Sequence, residues 1–222
     1  MQTFTTPSAI SVVLDIPAGH IRLIAADRAD TTVEVRPEDA GKGRDVKAAE
    51  QVEVGYDGDG VLRIAMPEAK NRLLGQSGSV EITVQLPAGS HVEAKAAAAE
   101  FRGVGRLGDV VFEGGHRSVK LDEAATARLT ALDGDVVVGR LTGSAEISTQ
   151  RGSIRITEAH SGSVTLSTQK GDITVGAARG VSATLDAGTS YGRVSNALTN
   201  SGDAGLAVRA TTSYGDISAA SL

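Results

Sequence analysis

The sequence predicts an all-β protein: a right-handed parallel β-helix or β-roll, a two-sheet solenoid of about 18–19 residues per coil, preceded by a mixed or antiparallel β capping region. Two observations carry this expectation. The first is a repeat. Ile147-Ser148-Thr149-Gln150-Arg151-Gly152-Ser153-Ile154 returns nineteen residues later as Leu166-Ser167-Thr168-Gln169-Lys170-Gly171-Asp172-Ile173, and self-similarity on a short fixed period signals stacked supersecondary units. The second is composition: aromatics are 3%, with no Trp, against 27 Gly. A core of small and β-branched side chains must be thin, which suits closely stacked strands.

The repeat extends into two apolar ladders. One falls at Phe101, Val119, Val136, Ile154, Ile173, Val194 and Ile217, the other at Val92, Val110, Leu129, Ile147, Leu166, Leu185 and Val208. Each period therefore holds two strands, and short segments such as Asp172-Ile173-Thr174-Val175 show the period-two alternation of half-buried strands. Gly134, Gly152, Gly171, Gly192 and Gly215 precede the first-ladder strands, where a sharp corner wants positive φ. The expected division is 1–86, a β region covering the first coil, and 87–222, the solenoid repeats, with one sheet able to continue across Pro87. In the first part, strands are expected at Ile10–Ile16, His20–Ala25, Thr31–Arg36, Gln51–Tyr56, Val61–Met66 and Ser79–Leu86. Glu38–Glu50 and Glu68–Ser77 are expected to be exposed, charged connections.

Several function classes are disfavoured. The net charge of −5 and pI near 5.4 argue against nucleic-acid binding, which needs a basic face. There is no Cys, so neither disulfides nor thiolate metal sites are available. No apolar run reaches the ~20 residues that span a bilayer, and Met1–Ile10 lacks the basic start and apolar stretch of a secretory signal. Read as a full-length chain, it is expected in the cytoplasm. No cofactor, metal or membrane insertion is expected.

The strand ends Leu14-Asp15-Ile16-Pro17-Ala18-Gly19 and Val84-Gln85-Leu86-Pro87-Ala88-Gly89 join repeated steps at Gly108-Asp109-Val110, Gly134-Asp135-Val136, Gly152-Ser153-Ile154, Gly171-Asp172-Ile173 and Gly215-Asp216-Ile217. In these the chain resembles the bacterial putative-adhesin family of β-strand-repeat proteins, a domain of unknown function related to the head domain of putative autotransporter adhesins. The resemblance covers about residues 10 to 220 and implies a right-handed β-helix or β-roll; it brings no catalytic or ligand residues. Ala96–Glu100 and Glu113–Arg117 depart from the usual turns, so the second and third coils are expected to be irregular.

The chemistry-bearing residues fall into four groups. Asp133 and Asp135, Arg151 and Arg155, then Lys170 and Asp172 recur on successive coils, and paired carboxylates can hydrolyse a glycosidic bond; solvated corner charges are the plainer account. His20, His91, His116 and His160 read as exposed turn residues, the first two placed comparably after Pro-Ala-Gly. Tyr191 and Tyr214, in a repeated Thr-Ser-Tyr-Gly, either pack over longer corner loops or offer contact surface. Ser148, Gln150 and Arg151 stack on Ser167, Gln169 and Lys170 as a side-chain ladder or a polar recognition strip. The expected function is a noncatalytic, adhesin-like binding or scaffold protein, not an enzyme, whose partner is a protein or glycan. The alternatives are self-assembly through an uncapped last coil, Leu206–Leu222, giving a homo-oligomer, and a glycan-cleaving enzyme.

Overall fold

Alternating burial runs through strand after strand, buried at every second residue in Val80–Leu86 and Leu206–Thr212. The computed structural model describes residues 1–67 and 78–222; the connection expected at Glu68–Ser77 lies outside them. The elements are β1 (Gln2–Thr5), β2 (Ser11–Asp15), β3 (Ala18–Ala26), β4 (Asp30–Pro37), α1 (Gly43–Gln51), β5 (Glu53–Tyr56), β6 (Val61–Ala65), β7 (Val80–Pro87) and β8 (His91–Ala96). Two long strands follow, β9 (Ala98–His116) and β10 (Val119–Asp133). The rest are β11 (Val136–Leu141), β12 (Ala145–Arg151), β13 (Ile154–Ala159), β14 (Gly162–Lys170), β15 (Ile173–Ala177), β16 (Ala183–Tyr191), β17 (Val194–Ala197), β18 (Leu206–Tyr214) and β19 (Ile217–Ser221).

Backbone pairing sorts these into two layers. The first runs β1-β4-β7-β3-β9-β10-β11-β13-β15-β19-β17. The second runs β5-β6-β2-β8-β9-β10-β12-β14-β18-β16. Strands β9 and β10 belong to both, passing from one layer to the other, and β10 carries a register shift between Leu121 and Glu123. This is the irregularity expected there. The layers face each other, since buried Phe101 of the first meets buried Phe112 of the second with ring centroids 5.1 Å apart. Ile154 lies opposite Ile173 in a parallel register, and Val119, Val136, Ile154, Ile173 and Ile217 form a rung no more than 1% exposed.

The repeated Gly-Asp/Ser-Ile step has a mechanical reason at each residue. At Gly171 (φ +152°) an added Cβ would sit 2.1 Å from the Gly152 carbonyl oxygen, so only glycine lets successive corners stack. The next residue accepts a backbone N–H from the neighbouring coil: Asp135 Oδ1 from Ser153 (2.8 Å), Asp172 Oδ1 from Asp216 (2.8 Å) and Asp216 Oδ1 from Arg193 (2.8 Å). The Ile or Val then enters the core. Three residues before Gly171, Gly215 and Gly192, a threonine donates to a neighbouring corner carbonyl: Thr168 to Gly152 (3.0 Å), Thr212 to Gly171 (3.1 Å) and Thr189 to Gly215 (3.0 Å). Side-chain oxygen thus satisfies backbone groups that the corners leave outside the ladders.

The hydrogen bond from the Arg193 N–H, reinforced by the Arg193 guanidinium against some desolvation, holds the Asp216 carboxyl below its ordinary range. A depressed carboxylate stabilises above its unfolded pKa and loses that contribution as pH falls through the folded value. Acidification below the ordinary aspartate range is therefore expected to lower the protection of the Arg193 amide relative to the unfolded exchange rate at the same pH, and Asp216→Asn to flatten that dependence. Protection at Arg193 that ignores both pH and the substitution would contradict the assignment.

Four expectations need correction. First, the coils do not stack in chain order. β14 and β15 pair with β18 and β19, which in turn pair with β16 and β17. The last coil in sequence is inserted, and the outermost is β16–β17, so Leu206–Leu222 is not the open end. The ladder follows suit: Ile173 meets Ile217, and Val194 lies beyond it. Leu166 meets Ala210, while Leu185 meets Val208. The long spacings before Val194 and Ile217 arise because segments 178–182 and 198–205 must skip a level and step back.

Second, the N-terminal region is mixed, as expected, but it does not merely cover the first coil: much of it is itself parallel coil. Only the β1–β4, β4–β7 and β5–β6 pairs are antiparallel among the described residues. β2–β3 is itself inserted between β6–β7 and β8–β9, so hydrogen bonding runs unbroken across Pro87. Third, the connection expected at Glu38–Glu50 contains α1, made of strong helix formers after Gly43. It packs on β4 and β7, burying Ala48 and Asp45, whose Oδ1 accepts the Ser79 N–H at 3.0 Å. Fourth, His20, His91 and His116 lie within strands, and His20 and His91 sit in different layers because the two Pro-Ala-Gly corners turn opposite ways.

Candidate binding site at the corner of the coils

The C-terminal ends of β10, β12, β14, β18 and β16 lie side by side, and their register puts Asp133, Arg151, Lys170, Tyr214 and Tyr191 in one row. Arg151 binds Asp133 at 2.8 Å, while Lys170 makes no ion pair among the described residues. Beyond Lys170 the two tyrosine rings stack with centroids 4.9 Å apart and planes 3° from parallel. They remain 56% (Tyr214) and 67% (Tyr191) exposed. Sequence order hid the link between Lys170 and Tyr214, which exists only because β18 is inserted next to β14.

The rest of the polar strip is partly joined. Ser148 and Ser167 are register partners, and Ser148 Oγ reaches Thr130 Oγ1 at 3.5 Å. Gln150 and Gln169 are exposed beside the row without a side-chain bond between them. The intervening threonines, Thr149 and Thr168, are the buried members of the motif; their role follows from the stacked corners and not from local pattern. The remaining acids and bases weighed for glycosidic chemistry are spread out: Asp135 and Asp172 cap backbone N–H groups, and Arg155 lies on the outer face of β13.

A second polar constellation lines a groove of about 750 Å³ on the outer face of the first layer. His20 lies between Glu38 (3.0 Å) and Glu100 (3.4 Å), and Arg117 reaches Glu38 at 3.5 Å and His20 at 3.2 Å. Burial pushes the Glu38 carboxyl up, but hydrogen bonds from Ser79 and His20 and the Arg117 charge outweigh it, leaving it below its ordinary range. Arg117 has φ +93° and is the only non-glycine with positive φ among the described residues. It occupies the start of the corner-glycine column, where Gly134 stacks on its carbonyl. These groups satisfy one another and clamp the segment after β4 onto β3 and β9. Sequence reading missed the cluster because it joins residues 97 apart. The other histidines also have acidic neighbours: His91 lies 3.2 Å from Asp109, and His160 lies 3.2 Å from Glu158. No group of three or more His, Asp or Glu among the described residues is placed to hold a metal ion, and no helix among them is long and apolar enough to cross a membrane.

The family model described as Toastrack DUF4097 matches residues 11–221. The chain belongs to the Toastrack family. That span takes in every coil of this Toastrack chain and both inserted ones. Similar solved structures include a putative adhesin from Parabacteroides distasonis, 17% identical with a TM-score of 0.46, covering 98% of this chain and 95% of that one. A putative adhesin from Bacteroides fragilis is 14% identical with a TM-score of 0.43, over 98% and 95% of the two chains. A putative cell adhesion protein from Clostridium sporogenes is 13% identical with a TM-score of 0.40, over 100% and 98%. No curated protein matches the chain.

Proposed function

We propose that this is a noncatalytic, adhesin-like binding protein on a right-handed β-helical scaffold, and that the corner row is its contact surface for an acidic glycan. The observation that carries the reading is the stacked, exposed Tyr191–Tyr214 pair in line with Lys170 and Arg151. Exposed tyrosines offer flat apolar area with a polar tip, the surface on which sugar rings pack. Lys170, one coil away and in no ion pair among the described residues, supplies a charge for a uronate or sulfate. Gln150, Gln169, Ser148 and Ser167 flank the row with hydroxyl-matching donors and acceptors. Parallel coils set these groups about 4.8 Å apart, so a linear polymer can meet several at once. The right-handed coil is favoured because parallel crossovers take that hand.

Binding of purified protein to immobilised uronic-acid, sulfated and neutral polysaccharides tests the proposal. Tyr191→Ala with Tyr214→Ala is expected to weaken binding at least tenfold, a loss of about 1.4 kcal/mol, and Lys170→Ala to weaken only the acidic ligands. Retained binding in both variants, or a ligand of purely protein origin, would overturn it.

A further inference from the structure

The outermost coil has an unfinished side. β16 pairs only with β18 and β17 only with β19 among the described strands, so, apart from the Ala183 N–H that donates to Thr199 O at 3.0 Å, each presents one unpaired edge. The apolar rungs run out there as well: Ile217 is 1% exposed, while Val194, next on the same rung, is 47% exposed. The usual protections are missing, since these strands hold no Lys or Pro. Their sole charge, Asp186, is paired with Arg209 at 3.0 Å, so two such edges carry no strong like-charge barrier. The opposite end differs. There the layers finish in antiparallel strands of four residues each, β1 and β5.

We infer that the β16–β17 edge is a homodimer interface, its occupant the same edge of a second copy. What completes both the hydrogen bonds and the rungs is another pair of strands at the same spacing, and this chain carries such a pair. Because the two ends are unlike, head-to-tail growth finds no matching coil. Pairing like ends about a two-fold axis closes after two copies and sets the facing strands antiparallel. Ser182 O accepts the Leu206 N–H; by ladder alternation, residues 184, 186 and 188 bond inward and Ala187 points its N–H outward.

Sedimentation equilibrium of the full chain across a wide concentration range tests this. The mass is expected to rise from 22.6 kDa to twofold and stop. Val194→Lys puts a charge into the joint, and Ala187→Pro removes an outward N–H; both are expected to stay monomeric with parental urea midpoints. Tyr214→Ala, on β18 and one strand inside the edge, is expected to leave the dimer intact, which separates this interface from the glycan row. A monomer at every concentration, a dimer unchanged in both edge variants, loss of the dimer in the tyrosine variant, or open-ended growth would overturn the inference.

Discussion

Gly171→Ala is expected to cost at least about 3 kcal/mol of stability, while Gly188→Ala stays within about 0.5 kcal/mol of the parent. Both are glycines near the ends of second-layer coils, so composition alone would treat them alike. The difference is what a methyl group meets. At Gly171 the Cβ lands 2.1 Å from the Gly152 carbonyl oxygen and 2.5 Å from its carbon, with φ at +152°. The obstacle is backbone, which cannot swing aside as a flexible side chain would. Relief requires parting the corner, which stretches the bonds from the Gly152 N–H to Lys170 O and from Thr168 Oγ1 to Gly152 O. At Gly188 nothing lies within 4 Å of the new Cβ. In a chain of this size each kcal/mol moves the melting temperature by about 2–4 °C, so thermal unfolding resolves the pair. Equal melting temperatures would mean that the corners are not stacked in this way.

The same column shows why some of the architecture was legible and some was not. Gly, Asp or Ser, and Ile recur at each corner because stacking, N–H capping and core filling are local demands made once per coil; any coil in any order satisfies them. That is why the strands, the parallel register of Ile154 on Ile173, and the corner glycines could be read from one sequence. Coil order is another matter. Val194 and Ile217 are interchangeable members of the rung, so nothing in their identity says which sits against Ile173. Only the long segments before them carried a hint. The candidate site suffered in the same way: Tyr191 and Tyr214 were visible as a repeated motif, but their adjacency to Lys170 depends on the insertion. The His20–Glu38–Glu100–Arg117 clamp left no local pattern, because its members come from four separate strands and loops. Helix α1 was hidden by its own polarity, with only Asp45 and Ala48 buried.

Inserted order makes a sharp prediction in a chain without cysteine. Ser195→Cys with Ser218→Cys is expected to oxidise readily to an intramolecular disulfide, and Thr174→Cys with Ser218→Cys likewise. Thr174→Cys with Ser195→Cys is not. Ser218 is the register partner of both Ser195 and Thr174, and adjacent strands lie about 4.8 Å apart, within the Cα separation a disulfide spans. Thr174 and Ser195 are two strands apart, about 9.6 Å, beyond the ~7 Å at which bridging fails without backbone movement. Chain-order stacking would reverse the outcome, joining 174 to 195 and leaving 195 with 218 also bridged but 174 with 218 free. The Ser195–Ser218 bridge closes a loop of about 23 residues, for which chain entropy gives roughly 3 kcal/mol of added stability. That gain should fall on the outermost coil, because among the described strands β16 and β17 pair only with β18 and β19. Tyr191 and the open edge both stand on that coil, and the contact of Tyr214 with Lys170 stands on the inserted one, so the pattern of these three bridges decides whether either surface exists as described.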